Sequence, residues 1–195
     1  MPSQNKLPDR RVLRTKKNIR QAFLRLLAEK NTSQITVKEL SDLADINRKT
    51  FYMYYSNIED IFAELEDELV LKLVHVFEKE LFQKEMFDSY SFFENLNRTI
   101  QADIDLYRIL NHSDLLPHLI QRAKNALIEV FFRKYNISAD SDNERYILYA
   151  EYAASGILSM YTKWFSRDFH MSLEELTRTA AEITLYGFQH LFPER

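Results

Sequence analysis

The sequence predicts an all-α protein, and its composition supports that class. The 195 residues include only 2 Gly and 4 Pro, which leaves few positions for hairpins or sharp turns. Apolar residues make up 46% of the chain, so a substantial core can form, and charged residues make up 28%. Long segments rich in Leu, Glu, Lys and Ala favour helices over strands.

The composition also restricts the chemistry that the chain can perform. It contains no Cys, which excludes disulfides, thiolate metal sites and Cys nucleophiles. The two glycines, Gly156 and Gly187, come late and form no phosphate loop, and the five histidines lack metal-ligand spacing. We therefore expect no catalytic residues, no metal and no cofactor. Because neither a bilayer-spanning run nor a signal peptide is visible, we expect a cytoplasmic protein.

The charge is distributed unevenly along the chain. Residues 1–55 carry 12 Lys+Arg and 5 Asp+Glu, a net charge of +7, whereas the remainder carries 14 and 24, a net charge of −10. A basic first third indicates a polyanionic partner for that segment. A solvated basic surface would have the same composition, so charge alone does not decide between the two.

The first helix is predicted to start at about Arg14, after a polar arm over residues 1–13. It should end at Asn31–Ser33. Its apolar residues recur at the i, i+3, i+4 spacing of one buried face. They are Ile19, Ala22, Phe23, Leu26 and Leu27.

Two short helices and a tight turn follow. Thr36 stands where an N-cap residue belongs, with Glu39 three residues later, the pattern of a capping box. The turn is predicted at Asp45–Asn47, with Asn47 capping the third helix, RKTFYMYY. Val37, Leu40 and Ala44 form the buried side of the second helix.

The third helix has the side chains needed to bind DNA. Arg48 can pair with guanine O6 and N7, and Lys49 supplies a positive charge for phosphate. Thr50 and Tyr52 offer hydroxyl groups, while Phe51 and Tyr55 are expected to pack inward. A polar helix with aromatic core contacts is the alternative, but the capped preceding helix and the local charge favour DNA binding.

The span Arg14–Leu65 resembles the N-terminal DNA-binding domain of the TetR family of bacterial transcriptional regulators. The resemblance rests on the segment ITVKELSDLADINRKTFYMYY and the following NIEDIF. The aromatic pairs Phe51–Tyr52 and Tyr54–Tyr55 and the acidic start of the fourth helix are all in register with the family. It implies a helix-turn-helix whose third helix approaches the major groove. Family members commonly carry Lys where this chain has Ile58. The DNA-binding residues are expected to be Thr36, Lys38, Asn47, Arg48, Lys49, Thr50, Tyr52 and Tyr54.

A long fourth helix should begin at Asn57, and the rest of the chain reads as helical. We place a DNA-binding domain with its arm at residues 1–57, and a helical ligand-binding and dimerisation domain at residues 58–195. The helices of this second domain are expected near 90–111, 115–136, 143–168 and 172–191. The fourth helix carries the apolar stripe Ile58, Ile61, Phe62, Leu65, Leu69, Leu73, Val76 and Phe77.

The last two helices carry seams of alternating three- and four-residue spacing, typical of near-parallel helix packing. The two helices could pack on each other within one chain. The resemblance instead implies a homodimer, in which these helices pair with those of a second subunit. The interface residues are then expected to be Ala150, Ala153, Ile157, Met160, Trp164, Leu176, Ala180, Ile183 and Gly187.

The segment between the fourth helix and these seams is rich in aromatic residues, and the resemblance implies that this body holds an inducer pocket. Ordinary core packing is the alternative for each aromatic. No isolated Arg or Lys lies in an apolar stripe, so an anionic inducer gets no support. The pocket residues are expected to be Phe93, Tyr107, His112, Phe131 and Tyr149.

These features together predict a dimeric regulator that binds a palindromic operator in double-stranded DNA. We expect a repressor that is released by a small, mostly apolar ligand. In the alternative, the body engages a protein partner, such as a co-activator or a chromosome-associated factor. A closed, packed body would favour the protein partner, and an apolar cavity would favour the small molecule.

Overall fold

The protein is all-helical in the computed structural model, which describes residues 10–83, 87–137, 144–166 and 169–187. No strand occurs within these ranges, and the all-α prediction is confirmed. None of the described helices is long and apolar enough to cross a membrane. In chain order the helices are α1 Arg10–Leu27, a 3-10 helix Thr32–Gln34, α2 Val37–Leu43, α3 Arg48–Tyr52, α4 Glu59–Gln83, α5 Ser89–Ala102, α6 Ile104–Asn111, α7 Leu116–Tyr135, α8 Glu144–Trp164 and α9 Leu173–Tyr186.

The chain forms two compact units. The N-terminal unit extends to Leu65 and includes the later segment His112–Asp114, while the C-terminal unit comprises Glu66–Asn111 and the residues from Leu115 onward. The units therefore divide inside α4, later than the boundary between residues 57 and 58 that the sequence suggested. The first turns of α4 belong to the N-terminal unit because they supply its core with Ile61, Phe62 and Leu65.

The N-terminal unit is built on the apolar face of α1. All five predicted stripe residues of this helix are buried. The helix starts at Arg10, earlier than predicted. None of the residues in its first turn is buried, so this turn adds nothing to the stripe. The other residues of the predicted arm, 1–9, lie outside the described residues. Helix α1 packs against α2, and α2 packs against α3.

The predicted N-caps of α2 and α3 are confirmed. Thr36 Oγ1 accepts a hydrogen bond from the Glu39 N–H at 3.2 Å, and Asn47 Oδ1 accepts one from the Thr50 N–H at 2.7 Å. The Glu39 carboxylate is paired with Lys30 Nζ at 2.5 Å. Each cap satisfies an N–H group that has no partner within its helix, and so fixes where that helix begins.

The C-terminal unit differs from the predicted helix order at one place. The expected helix over 90–111 is two helices, α5 and α6, which are separated at Asp103. Asp103 has φ −132° and ψ 34°, outside the helical region, and its carboxylate pairs with Lys72 Nζ at 2.7 Å. Asp is a poor helix former, and this ion pair stabilises the break.

The core of the C-terminal unit is formed by α5, α8 and α9. Helix α5 packs against α9, α8 packs against both α7 and α9, and a continuous apolar cluster fills the space between them. Phe92 and Phe93 of α5 are fully buried in this cluster, with ring centroids 4.9 Å apart. The cluster also contains Val76, Leu96, Ile100, Ile157, Tyr161, Leu176, Ala180 and Ala181.

This core takes up four of the nine residues that were expected at a dimer interface. The buried residues Ala150, Ile157, Leu176 and Ala180 face the interior of their own subunit, where no second subunit can reach them. Met160 and Trp164 pack against the same core, and Ile183 is half-buried. At these four buried positions the three- and four-residue spacing reflects packing within one chain. Of the nine residues, only Ala153 is exposed.

Gly187 also has a different role from the predicted one. It ends α9 with φ 62°, a conformation that residues other than glycine rarely adopt, and its N–H donates to the Ile183 carbonyl at 2.9 Å. A Cβ atom at this position would meet nothing within 4 Å. The glycine therefore serves to terminate the helix, and no described neighbour within the subunit requires it.

Candidate nucleic-acid interface

The N-terminus of α3 is organised by the side chain of Asn47. In addition to the Thr50 N–H, Asn47 Oδ1 accepts a hydrogen bond from Thr50 Oγ1 at 3.1 Å. Arg48 and Lys49 occupy the first turn of the helix, and both side chains are exposed. Helix N-termini favour anions, so this end of α3 combines two mobile cations with a positive helix end.

The buried side of α3 is aromatic. Phe51 is fully buried and Tyr55 nearly so, and their ring centroids are 5.9 Å apart. Burial and the neighbouring Glu64 carboxylate raise the pKa of Tyr55. Lys16 of α1 lies 5.2 Å above the Tyr55 ring and pairs with Glu64 at 2.6 Å. These contacts tie α3 to α1 and to the start of α4, so the exposed face of α3 is rigidly supported.

The turn between α2 and α3 requires an unusual backbone conformation. Asp45 has φ 55°, which Asp tolerates better than most residues. The next residue, Ile46, donates its N–H to the Ser41 carbonyl at 3.0 Å, and its side chain is half-buried. The turn thus stays compact without a glycine and sets the direction in which α3 leaves α2.

All eight predicted DNA-binding residues have side chains at least partly accessible on the N-terminal unit. Tyr52 is 58% exposed, so its hydroxyl can reach a ligand. Thr50 and Tyr54 are half-buried, and Thr50 already donates its hydroxyl hydrogen to Asn47. The exposed members are Thr36, Lys38, Asn47, Arg48, Lys49 and Tyr52.

Met53 is a surface residue that the sequence interpretation missed. It follows α3 directly and is 71% exposed, although it is apolar. A methionine at this place has the chemistry to contact a thymine methyl group. The signal was its position between Phe51 and Tyr55, the two residues of the buried face, which places Met53 on the outer side.

The first turn of α4 is closed by its own side chains. Asn57 Oδ1 accepts a hydrogen bond from the Asp60 N–H at 2.8 Å, and Asp60 Oδ2 accepts one from the Ser56 N–H at 2.7 Å. Ile58 is buried between these polar residues. At this position the chain therefore contributes to the core, and it lacks the cation that the family resemblance would lead one to expect.

A second feature, within the C-terminal unit, is an apolar cavity of about 100 Å³. Within the described part of the chain no charged side chain lines it. The hydroxyls of Thr99 and Thr162 donate to carbonyl groups in their own helices, and Tyr161 donates to Asn97 Oδ1 at 2.5 Å. The donor hydrogens of these lining residues are therefore already used, and the wall is suited to a neutral, apolar molecule.

Family comparisons now identify the chain. A model described as "Bacterial regulatory proteins, tetR family" matches residues 19–65, and one described as "Transcriptional regulator C-terminal region", from the same family, matches residues 87–185. The chain belongs to the TetR family. TetR-family proteins are DNA-binding transcriptional regulators, so DNA binding is established at the level of the family. Among the described residues, no cluster of His, Asp and Glu is arranged to hold a metal ion.

Individual relatives agree with this assignment. The chain is 28% identical over 162 residues to an uncharacterised HTH-type transcriptional regulator, YxbF, from Bacillus subtilis strain 168; the match covers 78% of this chain but only 40% of that protein. The fold of the present chain is similar to that of a fatty acid degradation regulator, FadR, from Bacillus halodurans. The TM-score is 0.65, the identity is 18%, and the match covers 95% of this chain and 99% of FadR. It is also similar to the dihydroxyacetone kinase operon activator DhaS, with TM-score 0.58, 22% identity and coverage of 88% and 94%.

The cavity of this TetR-family protein contains one of the five predicted pocket residues. Tyr107 lines it, stacked on Phe165 with ring centroids 5.9 Å apart, and burial raises its pKa to about 12. Phe93 is instead buried in the core, and Tyr149 is exposed. Phe131 packs against Tyr135, and His112 belongs to the N-terminal unit. These four residues do not line the cavity. The prediction failed for them because the aromatic content of a helix does not show which of its sides faces a cavity.

The outer faces of α8 and α9 carry large apolar side chains that the core does not use. Leu148 and Tyr152 of α8 are 67% and 63% exposed. On a helix, positions four apart lie on the same face, so these two form a stripe. The small residues Ala153, Ser155, Gly156 and Ser159 are exposed on the same helix. Tyr149 of α8 and Leu185 and Tyr186 of α9 are also exposed. We call these nine exposed residues, seven on α8 and two on α9, the outer α8–α9 face.

Proposed function

We propose that this TetR-family regulator binds a palindromic operator as a homodimer and represses transcription until a small, neutral, apolar ligand occupies the cavity of its C-terminal unit. The observation that carries the DNA-binding part is α3. This helix exposes Arg48, Lys49 and Tyr52 while Phe51 fixes its opposite side in the core. Such a helix presents base-reading side chains on a rigid support, as the second helix of a helix-turn-helix must.

The dimer part of the proposal rests on selectivity and on exposed apolar surface. Helix α3 spans only Arg48–Tyr52, so a single copy reads few base pairs. Two copies related by a two-fold axis read two half-sites. The outer α8–α9 face supplies the apolar surface that an isologous contact requires, and its small residues allow a second helix to come close.

The ligand part rests on the cavity. Its wall is apolar, and Lys72, the cation that acts electrostatically on Tyr107, is paired with Glu68 at 2.9 Å and with Asp103 at 2.7 Å. A carboxylate would therefore lose its hydration without gaining an unpaired cation. FadR, which resembles this chain in fold, is named as a regulator of fatty acid degradation. That name fits the apolar wall, whereas the carboxylate of a fatty acid does not fit it.

The size of the cavity also supports a second candidate function. Pockets for drug-sized ligands have volumes of roughly 300–1,000 Å³, whereas this cavity measures about 100 Å³. A ligand must therefore be small or must displace side chains. If neither holds, the body engages a protein partner, such as a co-activator or a chromosome-associated factor. The likeness to DhaS, which is named as an operon activator, agrees with that alternative.

Operator affinity with and without a bound apolar compound separates the two functions. The operator is first recovered from a randomised duplex pool, and compounds such as medium-chain alcohols are screened for direct binding by calorimetry. We expect a compound that binds to change operator affinity at least about 10-fold, because a switch requires differential affinity for the two states. Compounds that bind tightly but leave operator affinity unchanged would contradict the ligand switch and favour the protein partner.

A further inference from the structure

The short segment between α6 and α7 is attached to the N-terminal unit. Although the two helices belong to the C-terminal unit, His112–Asp114 clusters with the N-terminal helices. The two Asp114 carboxylate oxygens accept hydrogen bonds from the Thr32 N–H at 3.3 and 3.2 Å, and Oδ1 also accepts one from Thr32 Oγ1 at 2.9 Å. We refer to these hydrogen bonds as the Asp114–Thr32 clasp.

The clasp holds Thr32, which lies shortly before the helix-turn-helix in the chain. Thr32 is the first residue of the 3-10 helix and is only 8% exposed. Only Ile35 and Thr36 separate this helix from α2, and Ile35 is buried. Hydrogen bonds to a carboxylate are stronger than neutral ones, and the first N–H groups of a helix have no partner within it. A displacement of Asp114 would therefore reach α2 through a short, well-anchored connection.

Asp114 is also close in sequence to residues that line the cavity. Asn111 ends α6 and Leu116 begins α7, and both residues line the cavity. Asp114 lies between them. The segment between α6 and α7 has only four residues, so its residues must move when the separation of its two ends changes. Any change in the cavity that moves α6 relative to α7 must therefore move Asp114.

We propose that Asp114 is a positioning residue through which the state of the cavity sets the placement of α2 and α3. This inference rests on the proposed function, in which occupancy of the cavity controls operator affinity. The cavity and the helix-turn-helix are coupled because Asp114 is bound to Thr32 and is also enclosed between two cavity-lining helices. Cutting the clasp leaves both units folded but makes their responses independent, which removes the coupling.

The test is a double-mutant cycle that needs no identified ligand. Ala123 lines the cavity and is buried, so Ala123→Leu fills part of it and stands in for occupancy. Operator affinity is measured for four proteins: the natural chain, Ala123→Leu, Asp114→Ala and the double variant. We expect Ala123→Leu to change affinity by roughly 5–150-fold when Asp114 is present, the usual range of coupling between sites. In the Asp114→Ala background the same substitution should have almost no effect.

Matched variants separate coupling from a merely structural role. Asp105→Ala removes an exposed carboxylate of α6 that pairs with Arg108 of the same helix at 3.5 Å, and should leave the effect of Ala123→Leu intact. Thr32→Val removes one donor of the clasp and should reduce the effect, whereas Thr32→Ser keeps the hydroxyl and should restore it. The Thr32 amide should also exchange its hydrogen faster in Asp114→Ala. Asp114→Asn, which keeps an acceptor oxygen, replaces Asp114→Ala if circular dichroism shows loss of helix.

The outcomes distinguish this inference from the proposed function. If Ala123→Leu changes operator affinity equally with and without Asp114, the ligand switch stands and the role of Asp114 is refuted. If Ala123→Leu and a second filling variant, Thr99→Met, leave operator affinity unchanged in the natural background, both the switch and the inference fail. An effect of Ala123→Leu that depends on Asp114 but not on Asp105 supports both.

Discussion

Tyr152→Arg is expected to convert the protein into a monomer that no longer binds its operator. Tyr152 belongs to the stripe of the outer α8–α9 face and is 63% exposed, so the subunit itself does not need it for folding. In a dimer this side chain would be buried, and an unpaired charge buried between helices costs several kcal/mol, about 3–5. Sedimentation should show the monomer mass while circular dichroism shows unchanged helix content, and operator affinity should fall more than about 100-fold.

Tyr90→Arg is the matched control for this variant. Tyr90 lies on α5 and is 51% exposed, so it receives the same substitution in a similar environment but outside the outer α8–α9 face. It should remain a dimer and keep its operator affinity. Ala153→Arg, at the neighbouring exposed position, should behave like Tyr152→Arg. A folded Tyr152→Arg protein that still sediments as a dimer would place the interface on another surface.

Arg48→Ala is expected to weaken operator binding by roughly 10–100-fold and to relax the preference at one base position, as the loss of a bidentate guanine contact does. Arg48 is exposed in the first turn of α3 and no part of the core depends on it. Its removal should therefore leave the melting temperature unchanged. The measurement is the affinity for the operator and for duplexes that carry each alternative base at every position.

Lys49→Ala provides the comparison for Arg48. Lys49 is its neighbour in the same turn and is also exposed, but an ammonium group acts as a point charge and lacks the planar fork of Arg. We expect Lys49→Ala to weaken all duplexes about equally and to reduce the slope of log affinity against log salt by about one. If Arg48→Ala shows this uniform pattern instead, Arg48 contacts phosphate and does not read a base.

Local features of the N-terminal unit could be predicted from the sequence because they depend on neighbouring residues. The caps at Thr36 and Asn47 each involve a partner three residues away. The burial of Phe51 and Tyr55 follows from their four-residue spacing. Such interactions are fixed by helix geometry, and a single sequence is enough to find them.

Features of the C-terminal unit that depend on distant residues could not be predicted. The break at Asp103 is stabilised by Lys72, 31 positions earlier. The seam containing Ala150 and Ile157 has the right spacing for helix pairing, but spacing does not show whether the partner helix is in the same chain. The outer face with Tyr152 was overlooked because tyrosines and leucines beside small polar residues do not form a regular apolar stripe.

The Asp114–Thr32 clasp is the feature that could least be predicted from the sequence. The two residues are 82 positions apart, and nothing near Asp114 in the sequence indicates Thr32 as its partner. Along the chain, α4 runs from the N-terminal unit into the C-terminal unit. The structure adds a side-chain connection through the segment between α6 and α7, which depends on the folded N-terminal unit.

The most direct measurement of sequence-selective, two-fold DNA recognition is a selection of duplexes from a randomised pool by the intact protein at physiological salt. The account predicts that the recovered duplexes share a palindrome whose half-sites are centred about 34 Å apart, or a multiple of that distance. The Arg48→Ala protein should recover the same palindrome with one position in each half-site randomised. Recovered duplexes without two-fold symmetry, or a pool that remains random after repeated selection, would contradict the account.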